Sequence, residues 1–378
     1  MCKRITLHSL LLLVTIIIIA STCSKENSLT APEYTSLQEE IDAIAYRYIK
    51  VGGVIGVIDK HQQRQVFSYG SKSINGNERP DANTVFEIGS ITKTFTTILM
   101  ANIYLNGNFT DDTVAHYLPS HLVTLPSRDG AVIKIGHLAT HTSGIPRSPQ
   151  RDPSYPLPGE YDPLNPYSVY TTADVYDYLT NYCELEFTPG SWWSYSNTGM
   201  GLLGHLIGLV DGTSYQTVLQ RDIFDALGMS NSTLFLNDQQ RANLALGHNV
   251  SFEIVPNWYA GDIFQGAGFI KSCLNDMFIY LEANLGLINT PLREAMDLTH
   301  QPFLHQGSMG EQGLAWFILE LDDGQTVVYG GGDTNGYSAY IGFNKTALTG
   351  AIILLNCSRH DGTNLTVGPA VLKAIMKY

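Results

Sequence analysis

Cysteine is scarce in this sequence and badly spaced for any framework. Beyond Cys23 only Cys183, Cys273 and Cys357 remain. No C-x-x-C pair exists to hold zinc, and an odd, scattered set makes a poor disulfide scaffold. Buried or free thiols are expected, with one disulfide in an oxidising compartment as the alternative. Charge is sparse too. Only 15% of the 378 residues are charged, and the formal net charge is -13. No block of like charge forms a tail or an arm. An acidic surface repels nucleic acid and anionic headgroups, so no nucleic-acid role is expected. Internal repeats and low-complexity tracts are absent. Apolar residues are plentiful at 44%. The length corresponds to roughly two domain-sized units with a large core.

One long apolar run occurs. Lys3 and Arg4 form a short basic region, and Leu10 to Ala20 contains only Leu, Val, Thr, Ile and Ala. This run is short for a bilayer span and fits a signal peptide over residues 1–22. Ala20-Ser21-Thr22-Cys23 follows, and small residues ahead of a cysteine resemble a bacterial lipoprotein signal. Export is therefore expected, with lipidation of Cys23 and a cell-envelope location. A plain secretory signal, giving a periplasmic or secreted protein, is the alternative. The membrane would then be a partner through the lipid anchor only. Residues 23–36 are polar, carry Pro32 and read as a tether.

The remainder, 37–378, reads as strands at both ends around a helical middle. Leu37 to Ile49 has apolar residues at helical spacing. Gly53 to Asp59 and Gln65 to Tyr69 read as a hairpin. Ser90 to Leu105, Thr172 to Tyr182, Asn197 to Val210 and Ser214 to Leu227 read as helices. Pro146 to Pro166 reads as a long irregular loop, either functional or packed over the helices. Gly313 to Leu321, Gln325 to Tyr329, Tyr337 to Phe343 and Thr349 to Asn356 are short apolar runs between Asp-Gly, Gly-rich and Asn-Lys turns. Asn364 to Met376 reads as a last helix. The expected fold class is α/β (α+β): an antiparallel sheet shared by N- and C-terminal strands, flanked by helices. A mainly helical subdomain would be inserted over roughly 106–265.

Chemistry concentrates in a few short segments. Ser90 and Lys93 stand three apart at a predicted helix start, which puts both side chains on one face. A serine hydroxyl needs a neighbouring base to become a nucleophile. Lysine can be that base when burial or nearby cations lower its pKa. The helix N-terminus would add a positive dipole beside the oxygen. Alone, this spacing is common by chance, with Ser as a cap and Lys in a solvated turn. Pro189-Gly190-Ser191-Trp192-Trp193-Ser194-Tyr195-Ser196-Asn197 opens a second helix, and His137-Leu138-Ala139-Thr140-His141-Thr142-Ser143-Gly144 precedes it. His137 and His141 invite a Ser-His-Asp reading. Their order and the absence of G-x-S-x-G argue against it, and both are read as structural.

Taken together and in this order, Ser90 to Lys93, His141 to Gly144, Tyr195 to Asn197 and the Gly330 segment resemble the class C β-lactamase and low-molecular-weight penicillin-binding protein superfamily. The resemblance covers nearly all of the chain after the tether. It implies that Ser90 is the acylated nucleophile and Lys93 its proton partner. It implies that Tyr195 shares the base role and protonates the leaving group, and that Asn197 holds the lysine and contacts substrate. A phenol of pKa ~10 serves as a base only if a cation depresses it, and Lys93 is the expected cation.

The sequence departs from the resemblance at the third element. Where the family carries Lys-Thr-Gly, or His-x-Gly or Trp-x-Gly in several relatives, Gly330-Gly331-Gly332 stands here. The last glycine is kept, so the backbone N–H of Asp333 is expected to pair with that of Ser90 as an oxyanion hole. Gly332 and Asp333 thus join Asn197 as expected substrate contacts. The missing cation shifts weight from β-lactams toward esters or other amides. Asp333 would repel a substrate carboxylate. Arg359 could bind one instead, although a solvated surface arginine is the simpler reading. The expected activity is acyl transfer to water on a small-molecule or peptide substrate, by a monomer. β-Lactamase, D-amino-acid peptidase and carboxylesterase specificities remain open. A penicillin- or cell-wall-binding lipoprotein without turnover is the alternative of another class. No metal or organic cofactor is implied.

Overall fold

The computed structural model describes residues 34–159, 161–305, 310–321, 324–358 and 363–378. The expected signal peptide, Cys23, most of the tether and Arg359 lie outside the described residues. The chain divides at Thr35, and everything below concerns the unit Ser36–Tyr378.

Helix α1 (Leu37–Tyr48) starts at Ser36, whose hydroxyl accepts from the Glu39 N–H at 3.3 Å. Strands β1 (Gly52–Ile58) and β2 (Arg64–Gly70) form the expected hairpin, and β3 (Val85–Glu87) is a short strand beyond it. Helix α2 (Thr92–Leu105) follows a 3-10 turn over Gly89–Ile91. The middle of the chain carries α3 (Ile135–Ala139), α4 (Thr172–Asn181), α5 (Asn197–Asp211), α6 (Tyr215–Leu219), α7 (Asp238–Ala242) and α8 (Gln265–Gly268). A π-helical stretch, Gln220–Asp225, continues α6. Then come β4 (Lys271–Cys273), α9 (Leu274–Leu285), α10 (Arg293–Thr299), β5 (Leu304–His305), β6 (Glu311–Gln312) and β7 (Phe317–Glu320). The chain closes with β8 (Thr326–Asp333), β9 (Ser338–Asn344), β10 (Thr349–Leu355) and α11 (Thr363–Lys377).

The main sheet has the order β2-β1-β10-β9-β8-β7-β6-β5. Each pairing is antiparallel, and β1 lies against β10, so the two ends of the chain share one sheet as expected. Its faces feed two cores. Val54, Ile58, Ile352 and Leu354 point to one, while Ile55, Val57, Ile353 and Leu355 point to the other. This alternation follows from the two-residue period of a strand. Helices α1 and α11 cover the second face through Ile41, Val367, Val371 and Ile375. Helix α9 packs on the first. Strands buried on both faces read as continuous apolar runs, as β1 and β10 do.

Two differences from the sequence reading position the site. Strand β8 does not stop at Tyr329 but carries Gly330–Gly332 through to Asp333. Without side chains, this end of the strand lets other backbone approach closely. The Asn335-Gly336 turn then returns the chain to β9. The second difference is a separate two-stranded sheet of β3 and β4, in which Phe86 pairs with Ser272 and Glu87 with Lys271. Each strand has only three residues, too few to show periodicity. Cys183, Cys273 and Cys357 are buried.

Candidate active site

The segment from β3 into α2 is built to present Ser90. Ile88 donates its N–H to Ile270 O at 3.1 Å, which ties the chain to the end of β4. Gly89 then takes φ +50, a left-handed conformation that a side chain disfavours. A Cβ there would also sit 2.7 Å from the Asp333 nitrogen. Helix α2 is buried along most of its length, and its threonines are satisfied by other elements. Thr94 bonds Tyr280 at 2.8 Å, Thr96 bonds Tyr215 at 2.7 Å, and Thr97 donates to Leu314 O at 2.9 Å. Phe95 stacks on Tyr280 with ring centres 3.8 Å apart. The serine therefore stands on the short 3-10 turn that leads directly into a fixed helix.

Lys93 is 2% exposed. Its Nζ lies 3.0 Å from Ser90 Oγ and donates to the carbonyl of Ala267 on α8. No carboxylate among the described residues pairs with it. Desolvation, with Arg147 nearby, drives its pKa well below the ordinary lysine range. The amine is therefore positioned to accept the serine proton.

Tyr195 stands just before α5, and its O–H donates to Ser90 Oγ at 2.6 Å. The loop 141–147 holds this helix start. Ser196 caps α5 by accepting from the Gly199 N–H at 2.9 Å and donates to Pro146 O at 3.0 Å. Arg147 O accepts from the N–H groups of Asn197 and Thr198 at 2.9 and 3.1 Å. Lys93 Nζ and the Arg147 guanidinium carbon each lie 4.8 Å from the centre of the Tyr195 ring. Even so, burial outweighs the cations and pushes the Tyr195 pKa up to about 12. The expectation that Lys93 would depress it is corrected. Burial is the largest influence on the phenol and Arg147 is the cation that opposes it, so the phenol keeps its proton.

Asn197 also differs from expectation. Its Nδ2 donates to Tyr167 OH at 2.6 Å, and its Oδ1 has no hydrogen-bond partner in the structure. It does not hold Lys93. The Ala267 carbonyl does that, because the 141–147 loop and Tyr167 draw the amide away.

His141 lies beside the site with its ring centre 4.5 Å from that of Tyr195. Its Nδ1 accepts from the Ser196 N–H at 3.2 Å. Burial, with Lys93 and Arg147 adding repulsion, lowers its pKa to about 3, so it stays neutral. His137 Nδ1 accepts from the Lys134 N–H at 3.3 Å. Neither histidine bonds Ser90.

Gly332 lies directly against the Ile88–Ser90 backbone. A Cβ there would sit 2.0 Å from Ile88 O and 2.7 Å from the Ser90 nitrogen. Thr334 and Tyr337 form the hydrogen-bonded pair that closes the β8–β9 turn, with Thr334 N–H donating to Tyr337 O at 3.0 Å. In an antiparallel ladder such pairs alternate. Asp333, opposite Ser338, therefore turns its N–H away from β9, on the side where Gly89 and Ser90 lie. The Asp333 carboxylate accepts from the Ser338 hydroxyl.

Room directly over Ser90 is about 20 Å³, lined by Lys93, His141, Tyr195, Gln312, Phe317 and Gly330 among others. That is space for one water. Tyr195 is also a wall of a second cleft of about 350 Å³, with Arg147, Arg151, Asp152, Glu186 and Ser194. The sequence reading missed Arg147, Ala267, Tyr167, Gln312 and Phe317. Arg147 directly follows the His141–Pro146 element, but nothing in its own context marks it.

The family model described as Beta-lactamase matches residues 38–373. A β-lactamase of Pseudomonas fluorescens is 24% identical over 360 residues, covering 86% of this chain and 94% of that protein. The D-alanyl-D-alanine-carboxypeptidase/endopeptidase AmpH of Escherichia coli (strain K12) is 29% identical over 209 residues, covering 54% of this chain and 51% of that protein. Among solved structures, a β-lactamase/D-alanine carboxypeptidase from Pseudomonas syringae superposes with a TM-score of 0.73 at 25% identity. It covers 89% of this chain and 97% of that one.

Proposed function

The chain belongs to the β-lactamase family, whose members are serine hydrolases, and from that premise we propose that it cleaves an amide or ester through an acyl-enzyme on Ser90. One observation carries the reading. Ser90 Oγ accepts from the Tyr195 hydroxyl at 2.6 Å and lies 3.0 Å from a buried Lys93 amine that also bonds the Ala267 carbonyl. Ser90 gives its proton to the neutral Lys93 as Oγ attacks the carbonyl carbon. The N–H groups of Ser90 and Asp333 take the oxyanion. Tyr195 then passes its proton to the leaving nitrogen or oxygen, and the Lys93 ammonium restores the phenol. Water cleaves the acyl-enzyme by the same proton route in reverse. Neither step needs a tyrosinate in the resting site.

The test is intact-protein mass spectrometry after a fluorophosphonate probe, comparing the native chain with Ser90→Ala. Turnover of nitrocefin, a D-Ala-D-Ala peptide and p-nitrophenyl acetate is measured beside it. A single adduct lost in Ser90→Ala, with turnover of at least one substrate, is expected. No adduct and no turnover would refute the enzyme. Gly330–Gly332 in place of the usual cation-bearing triplet favours a second reading, acylation without turnover. A stable penicillin adduct at Ser90 would support that reading, and rapid release would end it. We further propose that export and lipidation of Cys23 tether the domain to the cell envelope. Support comes from the basic, apolar and small-residue order of residues 3–23.

A further inference from the structure

We propose that Arg147 binds a carboxylate carried by the leaving group of the substrate, and so replaces from the Tyr195 side the cation that β8 lacks. The inference rests on the Ser90 acyl-enzyme reading. Arg147 is exposed, and no carboxylate among the described residues forms an ion pair with it. What it touches is the Tyr195 ring, at 4.8 Å. Its backbone is fixed, since its carbonyl caps α5. The guanidinium is therefore held beside the group that protonates the leaving atom.

Tyr195 lines both the space over Ser90 and the 350 Å³ cleft on whose wall Arg147 stands. A leaving group that takes its proton from Tyr195 departs past Arg147. A planar, permanently charged fork suits a carboxylate better than an ammonium does. Asp152 and Glu186 share the cleft and repel anions. Neither is paired with Arg147, so its donors stay open to a ligand. At the other end, Gly330–Gly332 offer no side-chain cation, and the Asp333 carboxylate faces Ser338. Arg147 is thus a cation in contact with the Tyr195 ring that forms no ion pair among the described residues, whereas Lys93 is committed to Ser90 and Ala267.

The test uses matched thioesters of one acyl group, with mercaptoacetate as the anionic leaving group and its methyl ester as the neutral one. The readout is the ratio of kcat/KM for the two, which cancels any general loss of activity. An exposed charge-assisted contact is worth about tenfold. In Arg147→Met the ratio should fall about tenfold, and in Arg147→Lys by less. An unchanged ratio in Arg147→Met, with Ser90 still acylated, would overturn this assignment and leave the acyl-enzyme standing. Failure of the native chain to acylate Ser90 with either thioester would overturn both.

Discussion

Replacing Gly332 by alanine tests the closest contact in the site. The added Cβ would lie 2.0 Å from Ile88 O and 2.7 Å from the Ser90 nitrogen, whereas ordinary contact begins at 3.4 Å. Both neighbours are backbone, so no side chain can swing aside. Either β8 or the Ile88–Ser90 turn must move by more than an ångström. Overpacking of this kind costs about 1–3 kcal/mol of stability. A displacement of ~1 Å at a reacting group can cost about 10²-fold in rate. Gly330→Ala on the same strand is the control, because its Cβ would meet Thr94 at 3.5 Å and Trp316 at 3.7 Å. The assay is the rate of Ser90 labelling by a fluorophosphonate, read by intact mass, with a thermal melt of each variant. Gly332→Ala should label about a hundredfold more slowly and melt lower, and Gly330→Ala should melt close to native. Equal labelling rates for native protein and Gly332→Ala would refute the Ser90–Gly332 approach and the oxyanion hole built on it.

Lys93→Met should abolish acylation yet raise the melting temperature at neutral pH. Burial puts the folded pKa of Lys93 below its unfolded value. The unfolded chain then binds the extra proton, so this lysine costs stability as pH falls, and the gain from Lys93→Met should shrink as melts are taken toward pH 10. The same lowered pKa places the rising limb of kcat/KM well below the ordinary lysine range, and Arg147→Met should move that limb upward. Tyr195→Phe keeps the ring against Lys93 and Arg147 but removes the proton donor. Steady-state turnover should fall by about 10²–10⁴-fold with little change in melting temperature. With His141 near 3 and Tyr195 near 12, neither should give an inflection between pH 5 and 10, which a full pH profile checks. Cys23→Ser should move the protein from the membrane pellet to the soluble fraction and end palmitate labelling.

Much of this was legible in the sequence because it is local. Ser90 and Lys93 meet through helical spacing, and the Tyr195–Asn197 step at a helix start depends on capping residues a few positions away. Strands β1, β9 and β10 are long apolar runs whose pattern shows in any window. The rest was not legible, because it depends on contacts between distant segments. Strands β3 and β4 are too short to show a period, yet they hold the turn that carries Ser90. Three glycines in a row read as a turn, and only the backbone of Ile88–Ser90 lying against them explains why they continue β8.

By itself, then, the sequence picked out the groups proposed to do the chemistry: a serine, a lysine and a tyrosine at spacings that bring them onto helix starts. Tertiary structure decided their charge states. The Lys93 pKa is driven well down by burial and by Arg147, and Tyr195 keeps its proton because burial outweighs the Arg147 charge beside it. Desolvation depends on how distant elements pack around a group, so no window of sequence contains it. The same packing brings Arg147 to the site, and only there does its charge find a role.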